Sequence, residues 1–312
     1  MSRRYLVTGG AGFIGSHLVR AFLARGDAVT VLDNFTTGRR DNLAGLTGLR
    51  IVDGSAADAT AVANACEGVT GIVHLAALPS VSRSLEAPLL SHEHNVTGAV
   101  TVLDAARRHG LKLVYAGSSS AYGDQEAEAK VETLRENPLS PYAASKLAGE
   151  LYCRAFARCY GLPVVVTRFF NVYGPRQVPD SPYSGVVAAF CLALLRGKRP
   201  FIEGDGLQSR DFTYVEDVVR GVLLAMDTPL AGCHTLNLAC GGSHTVRDLF
   251  AVLQRYAGTQ IEPELRPPRQ GDVKHSRADI TRAQEVLGYA PRVSFADGLQ
   301  RTYDWYRSSY GT

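Results

Sequence analysis

Tyr142 and Lys146 stand four residues apart in the run Tyr142-Ala143-Ala144-Ser145-Lys146. On a helix that spacing puts both side chains on one face, roughly 6 Å apart along the axis. Next to an oxidised nicotinamide, a lysine so placed would turn a phenol with an ordinary pKa of about 10 into a base that works near neutrality. The pair alone decides nothing, because tyrosine and lysine share the exposed face of many helices. It acquires meaning only if the chain also builds a dinucleotide site.

The N-terminal region supplies one. Tyr5-Leu6-Val7 is a short apolar run ending at Gly9-Gly10-Ala11-Gly12-Phe13-Ile14-Gly15, after which Ile14, Leu18 and Phe22 recur at helical spacing. Strand, glycine turn and helix in that order are the context in which such a glycine pattern binds a dinucleotide. Gly9 permits the turn, Gly12 lets backbone amides approach a pyrophosphate, and Gly15 lets the helix pack close on the strand. The second strand, Ala28 to Leu32, ends at Asp33-Asn34. A carboxylate there, about 20 residues beyond the glycines, accepts a ribose 2′-hydroxyl and repels a 2′-phosphate. NAD is therefore expected rather than NADP, although Arg39 and Arg40 lie close by.

Strands and helices alternate onward. Leu49 to Val52 reads as a third strand, Asp58 to Cys66 as a helix, and Gly71 to Leu75 as a fourth strand. It ends in Ala76-Ala77, small residues that let a dinucleotide lie against the backbone. A long helix from Pro88 to His109 leads to a fifth strand, Lys112 to Ala116, which delivers Gly117-Ser118-Ser119-Ser120 at its carboxyl end. The helix of Tyr142 and Lys146 spans Pro141 to Tyr160, with Gly161 as its stop signal, and Leu162 to Arg168 is a sixth strand. This rhythm predicts an α/β fold, a Rossmann-like doubly wound parallel sheet whose ligands bind outside the carboxyl ends of the strands. After Arg168, Gly174-Pro175, Pro179 and Pro182 break the pattern. Residues 1–169 are accordingly expected to form the NAD-binding domain and 170–312 a smaller lobe, with about 213–240 returning to the first.

Composition narrows the class. The 312 residues are 46% hydrophobic and 20% charged, with a net charge of only +3, so neither nucleic acid nor an anionic membrane is expected as a main partner. The longest apolar stretch, Gly185 to Leu195, is too short to span a bilayer and reads as a buried helix. The six cysteines lack C-x-x-C spacing and are expected as reduced core residues, not as disulfides or metal ligands. With no signal-like apolar region at the start, a cytoplasmic location is expected.

Taken in order, TGGAGFIGSHL, LDNF, HLAA, HNVTG, GSSSAYGD, SPYAASK, RFFNVYGPRQ, GDGLQSRDF and RQGDVKHSRAD cover essentially the whole chain. On these the protein resembles an extended short-chain dehydrogenase/reductase, specifically a nucleotide-sugar 4-epimerase of the UDP-galactose and UDP-N-acetylglucosamine type. The resemblance implies NAD as a resident cofactor, with Phe13, Ile14, Asn34, Leu75 and Asn95 joining the contacts already named. It implies that Tyr142 takes the proton from the sugar's 4-hydroxyl, that Lys146 binds the nicotinamide ribose, and that Ser118, with Ser119 second, hydrogen-bonds at the 4-position. For the UDP-sugar it implies Ser80, Asn171, Phe201, Arg210, Arg269, Asp272 and Ser276. Where epimerases restricted to unacetylated hexoses close the pocket with a tyrosine, this chain has Ser276, which leaves room for an N-acetyl group. The resemblance also implies a homodimer, through the two long helices.

Two positions depart from the family pattern. The usual Gly-Asp after the third strand is Gly54-Ser55, which removes an acceptor for the adenine amino group. The lysine that some members place near the NAD phosphates is Pro79. Rival readings share the fold. Sugar-nucleotide dehydratases and UDP-glucuronate decarboxylases carry an acid after the catalytic hydroxyl, where Ser119-Ser120 stand here. A UDP-glucuronate 4-epimerase needs no such acid but needs a cation for the carboxylate, and Arg83 is a candidate. An NAD-binding scaffold or sensor would usually have lost the tyrosine, the lysine or the hydroxyl.

Overall fold

Short β-branched and aliphatic runs build the core sheet. Its strands β1 (Arg4–Thr8), β2 (Ala28–Asp33), β3 (Leu49–Asp53), β4 (Gly71–His74), β5 (Lys112–Ser118) and β6 (Val164–Phe169) are parallel throughout. The computed structural model describes residues 3–179, 185–267 and 273–311. A seventh strand, Cys233–Leu238, pairs in parallel with β6. The order across the sheet is Cys233–Leu238, β6, β5, β4, β1, β2, β3.

Successive side chains of a strand point to opposite faces, and both faces here are covered. Val7, Val31, Val73, Val114 and Val165 belong to one buried cluster, which takes in the helices Phe13–Ala24 (α1) and Val215–Asp227. Their neighbours Leu6, Leu32, Ile72, Leu113 and Val166 belong to the other, with the helices Ala59–Ala65 (α2) and Gly98–His109. The strand order reverses between β1 and β4, which opens a crevice at the carboxyl edge.

Local signals set the helix that carries Tyr142. Ser140 accepts the Ala143 amide at 3.1 Å, Pro141 opens the first turn, and Gly161 ends it with φ 68°. The helix spans Pro141–Tyr160. The other long helix is less regular. Pro88–His92 passes through a π turn, Glu93–Thr97, into Gly98–His109. β5 runs two residues past Ala116, because Gly117 and Ser118 find partners in Arg168 and Phe169 of β6.

Outside the main sheet, His244–Thr245, Ser209–Arg210 and His275–Ser276 form a three-stranded sheet. Phe201–Glu203 pairs with Glu264–Arg266 in a separate ribbon. The cysteine expectation needs one correction. Cys66, Cys153 and Cys191 are buried, but Cys159 is exposed, on the outer face of the last turn before Tyr160. Among the described residues no helix is long and apolar enough to cross a membrane.

Candidate active site

One cavity of about 720 Å³ lies in the crevice. Its floor is the glycine turn: Gly9, Gly12, Phe13, Ile14 and Gly15 line it. Gly9 has φ +69°, and a Cβ there would stand 2.8 Å from the Ala76 amide nitrogen. A Cβ on Gly15 would collide with the Gly9 carbonyl. Gly9 and Gly15 therefore tolerate no side chain, and the start of α1 faces the cavity, where its unpaired amides suit a phosphate. At one end Asp33 and Asn34 line the wall. The Asp33 carboxylate accepts the amides of Ala11 and Phe35, both at 2.9 Å, and burial raises its pKa while those amides pull it down. Arg40 is turned away, paired with Asp53 and stacked 3.9 Å over the Phe35 ring. Leu75, Ala76 and Ala77 form the opposite wall, and Gly54 and Ser55 also line the cavity.

At the other end stand Tyr142 and Lys146, with Phe169, Val172 and Gln177 opposite. Lys146 is only 4% exposed. Burial lowers its pKa to about 8, opposed by the negative charge of Glu150. Its Nζ lies 4.6 Å over the Tyr115 ring, and the Tyr115 hydroxyl donates to its carbonyl at 3.2 Å. Burial raises the Tyr142 phenol above its ordinary value, while a hydrogen bond with Ser118 pulls it back. His74, beneath the site, is driven down to about 3 by burial and by the Lys146 charge, and so is neutral. Its Nδ1 meets Thr8 Oγ1 at 2.7 Å.

The structure thus brings together residues from four stretches of sequence, and it sorts the three serines. Ser118 is the serine near enough to Tyr142 to pull the phenol's pKa down. Ser120 donates to Ser118 Oγ from both its hydroxyl, at 2.8 Å, and its amide, at 3.2 Å. Ser119 opens the one-turn helix Ser119–Tyr122. No local signal in the sequence marks Ser120 as the support of Ser118. Ser84 is a second support that spacing alone did not reveal: its hydroxyl accepts the Tyr142 amide at 3.0 Å and so ties the helix start to Val81–Glu86.

Asn95, expected against the cofactor, is 1% exposed and lies in the π turn Glu93–Thr97. Its Oδ1 accepts the Leu78 amide at 2.7 Å and its Nδ2 donates to Ser145 Oγ at 2.9 Å. It staples the segment after β4 to the Tyr142 helix.

Of the expected sugar-nucleotide residues, Ser80 and Asn171 adjoin the lining residues Pro79 and Val172. Ser80 has φ 109° and caps the helix Val81–Glu86 by accepting the Arg83 amide at 3.2 Å. Asn171 has φ 35° and adjoins Val172. Arg210 and Ser276 are level with each other on adjacent strands. Phe201 is 43% exposed, with the Arg266 guanidinium 4.1 Å over its ring. Arg269 and Asp272 lie outside the described residues. Among the described residues other than glycine, positive φ occurs at Phe35, Ser80, Asn171 and Arg176. Each is on the cavity wall or next to a residue that is. Backbone strain of roughly 1–3 kcal/mol per residue gathers where a ligand must be fitted.

A glycine cradle without room for a Cβ, helix amides facing it and a buried carboxylate beyond it fit a dinucleotide. Comparison with known proteins agrees. Residues 5–239 match the NAD dependent epimerase/dehydratase family. The chain belongs to that family. It is 40% identical over 311 residues to a UDP-glucose 4-epimerase of Mycolicibacterium smegmatis, covering 98% of this chain and 99% of that protein. A UDP-glucose 4-epimerase of Thermus thermophilus, solved in complex with NAD, superposes with a TM-score of 0.90 at 39% identity, over 98% of this chain and 99% of that one. A UDP-N-acetylglucosamine 4-epimerase from Methanobrevibacter ruminantium, in complex with UDP-N-acetylmuramic acid, gives 0.94 at 35% identity with the same coverage. For this family member Asp33 is the residue to test at the cofactor. Asp33→Asn keeps the shape and removes the charge. NAD affinity, read by calorimetry, is expected to fall by about 10-fold or more and the NAD-over-NADP preference to shrink, since a hydrogen bond to a charged group contributes about 1.5–3 kcal/mol. Unchanged affinity for both would remove Asp33 from the cofactor site.

Proposed function

We propose that the protein is an NAD-dependent UDP-sugar 4-epimerase that interconverts UDP-GlcNAc and UDP-GalNAc and also turns over UDP-glucose and UDP-galactose. The observation that carries this reading is that Tyr142 and the buried Lys146 line one cavity with Asp33 and the glycine turn. When bound, NAD supplies a hydride acceptor that serves again as donor. Gly9, Gly12, Gly15 and the α1 amides would hold its phosphates and Asp33 a ribose. Tyr142 takes the proton of the 4-hydroxyl and returns it after the carbon has inverted. Ser118, held by Ser120, keeps a hydrogen bond at that oxygen in both states. Lys146 brings a positive charge beside the phenol, which burial otherwise leaves too weak an acid to act as a base near pH 7.

Two features bear on the alternatives. A dehydratase or decarboxylase needs a carboxylate next to the catalytic hydroxyl, and Ser119 and Ser120 occupy those places. The second of them already serves Ser118. The N-acetyl preference rests on Ser276. A homodimer is supported by Leu89, Leu90, Leu151, Tyr152 and Tyr160, large apolar side chains left exposed on the two long helices. Free cysteines suit a reducing, cytoplasmic setting.

The test is incubation of the purified protein, without added NAD, with UDP-GlcNAc, UDP-glucose and UDP-glucuronate in turn. A new isomer of unchanged mass is expected from the first two. Loss of water or carbon dioxide would replace the reading by a dehydratase or a decarboxylase, and turnover of UDP-glucuronate alone would make it a uronate epimerase.

A further inference from the structure

Beneath the cavity lies an ionic cluster that the chemistry above does not use. Glu150, one helical turn after Lys146, is completely buried. Arg168 of β6, also completely buried, donates to its carboxylate from Nε at 3.1 Å and from Nη2 at 2.7 Å. Arg168 Nη2 also reaches Glu136 at 2.9 Å, and its guanidinium lies 4.5 Å over the Tyr122 ring. Arg154 closes the cluster, 2.6 Å from Glu136 and 3.8 Å from Glu150.

A buried ion pair is by itself weak evidence for anything but its own geometry. The placement of this one is informative. Glu150 Oε1 is 2.7 Å from where a Cβ would stand on Gly117, directly before Ser118. The carboxylate thus fills the space between the Lys146 turn and the strand end that delivers the hydroxyl. Arg168 divides its charge between Glu150 and Glu136, and Glu150 stands one helical turn from the equally buried Lys146.

We propose that Glu150, clamped by Arg168, is a positioning residue: the fixed counter-charge that keeps the Lys146 ammonium protonated and seated beside Tyr142. The proposal rests on the reading of Tyr142 and Lys146 as the hydride site. The other titratable groups facing Lys146 cannot replace Glu150. Tyr142, on the same helix, is the group whose proton the reaction moves, so it is no fixed counter-charge. Burial pushes Cys153, also on that helix, and Tyr115, from β5, toward their protonated forms. His74, from β4, is neutral. Among the described residues facing Lys146, Glu150 is the carboxylate that opposes the burial that lowers it. Because that effect raises the lysine's pKa, its removal must lower the pH at which the ammonium is lost.

The experiment uses the NAD-loaded enzyme. In Glu150→Gln the alkaline limb of kcat is expected to move down by about one pH unit or more, with KM within about twofold. The Lys146 Nζ resonance of [15N]lysine-labelled protein should titrate lower by the same amount. Glu150→Gln/Arg168→Gln, which removes both charges and avoids stranding the guanidinium, should move both readouts in the same direction. A folded variant with the wild-type limb and an unmoved Lys146 titration overturns the proposal. So does a wild-type Lys146 that titrates below about pH 7, a result that needs no variant. Wild-type protein inert toward every UDP-sugar would instead sink the epimerase reading, while the Nζ titration would still decide what Glu150 does.

Discussion

Tyr142→Phe is expected to lower UDP-sugar turnover by about 10³-fold or more and to leave NAD affinity within about threefold. The substitution deletes one oxygen. The ring still fills its half-buried place on the Pro141–Tyr160 helix, and the helix start stays fixed by Ser84 and by the Ser140 cap. What is lost is the group that exchanges a proton with the 4-hydroxyl, a contribution typically of 10²–10⁴-fold. Ser118 alone is a poor substitute, because its Oγ is already the acceptor of two bonds from Ser120. Steady-state rates with UDP-GlcNAc, together with calorimetric NAD titration of both proteins, check the two halves separately. A near-normal rate would remove Tyr142 as the base. A parallel loss of NAD would show that its hydroxyl holds the cofactor and not the proton.

Ser276→Tyr addresses the sugar. Ser276 is half-buried, and its backbone direction is fixed, because its carbonyl accepts the Asp211 amide at 2.7 Å and its strand pairs with Ser209–Arg210. A large side chain at that point therefore starts from a fixed Cα and can move only by changing rotamer. kcat/KM for UDP-GlcNAc is expected to fall by about 10²-fold or more while that for UDP-glucose stays within about fivefold, since a closed pocket excludes a bulky group far better than an open one selects it. Equal losses on both substrates would mean that Ser276 does not face carbon 2.

The parts of the site that came from short stretches were legible in advance. The boundaries of the Pro141–Tyr160 helix follow from a cap, a proline and a glycine, all local signals. The glycine turn and Asp33 lie within one strand-turn-helix-strand unit, where spacing carries the geometry. What was not legible has a common cause in partners distant in sequence. Asn95 has an amide equally able to serve a ligand or the chain, and its bonds to Leu78 and Ser145 leave no mark in composition. Three consecutive serines are chemically alike until a one-turn helix aims them differently. Glu150 and Arg168 are 18 positions apart on a helix and a strand, and nothing in either neighbourhood announces that they meet.

The strand Cys233–Leu238 has a consequence for how the enzyme is made. It is the last member of the cofactor's sheet, yet it is synthesised after the segments that carry Arg210 and Phe201. When Phe169 has left the ribosome, β6 still has one bare edge, and bare edges invite pairing with the wrong chain. Only once Leu238 has emerged can that edge be covered. Nascent chains of this protein therefore carry an open template for aggregation through roughly the synthesis time of 70 residues, about 3.5–14 s at 5–20 residues per second. For the same reason the cofactor half cannot be lifted out at residue 169 and grafted elsewhere as a self-sufficient module.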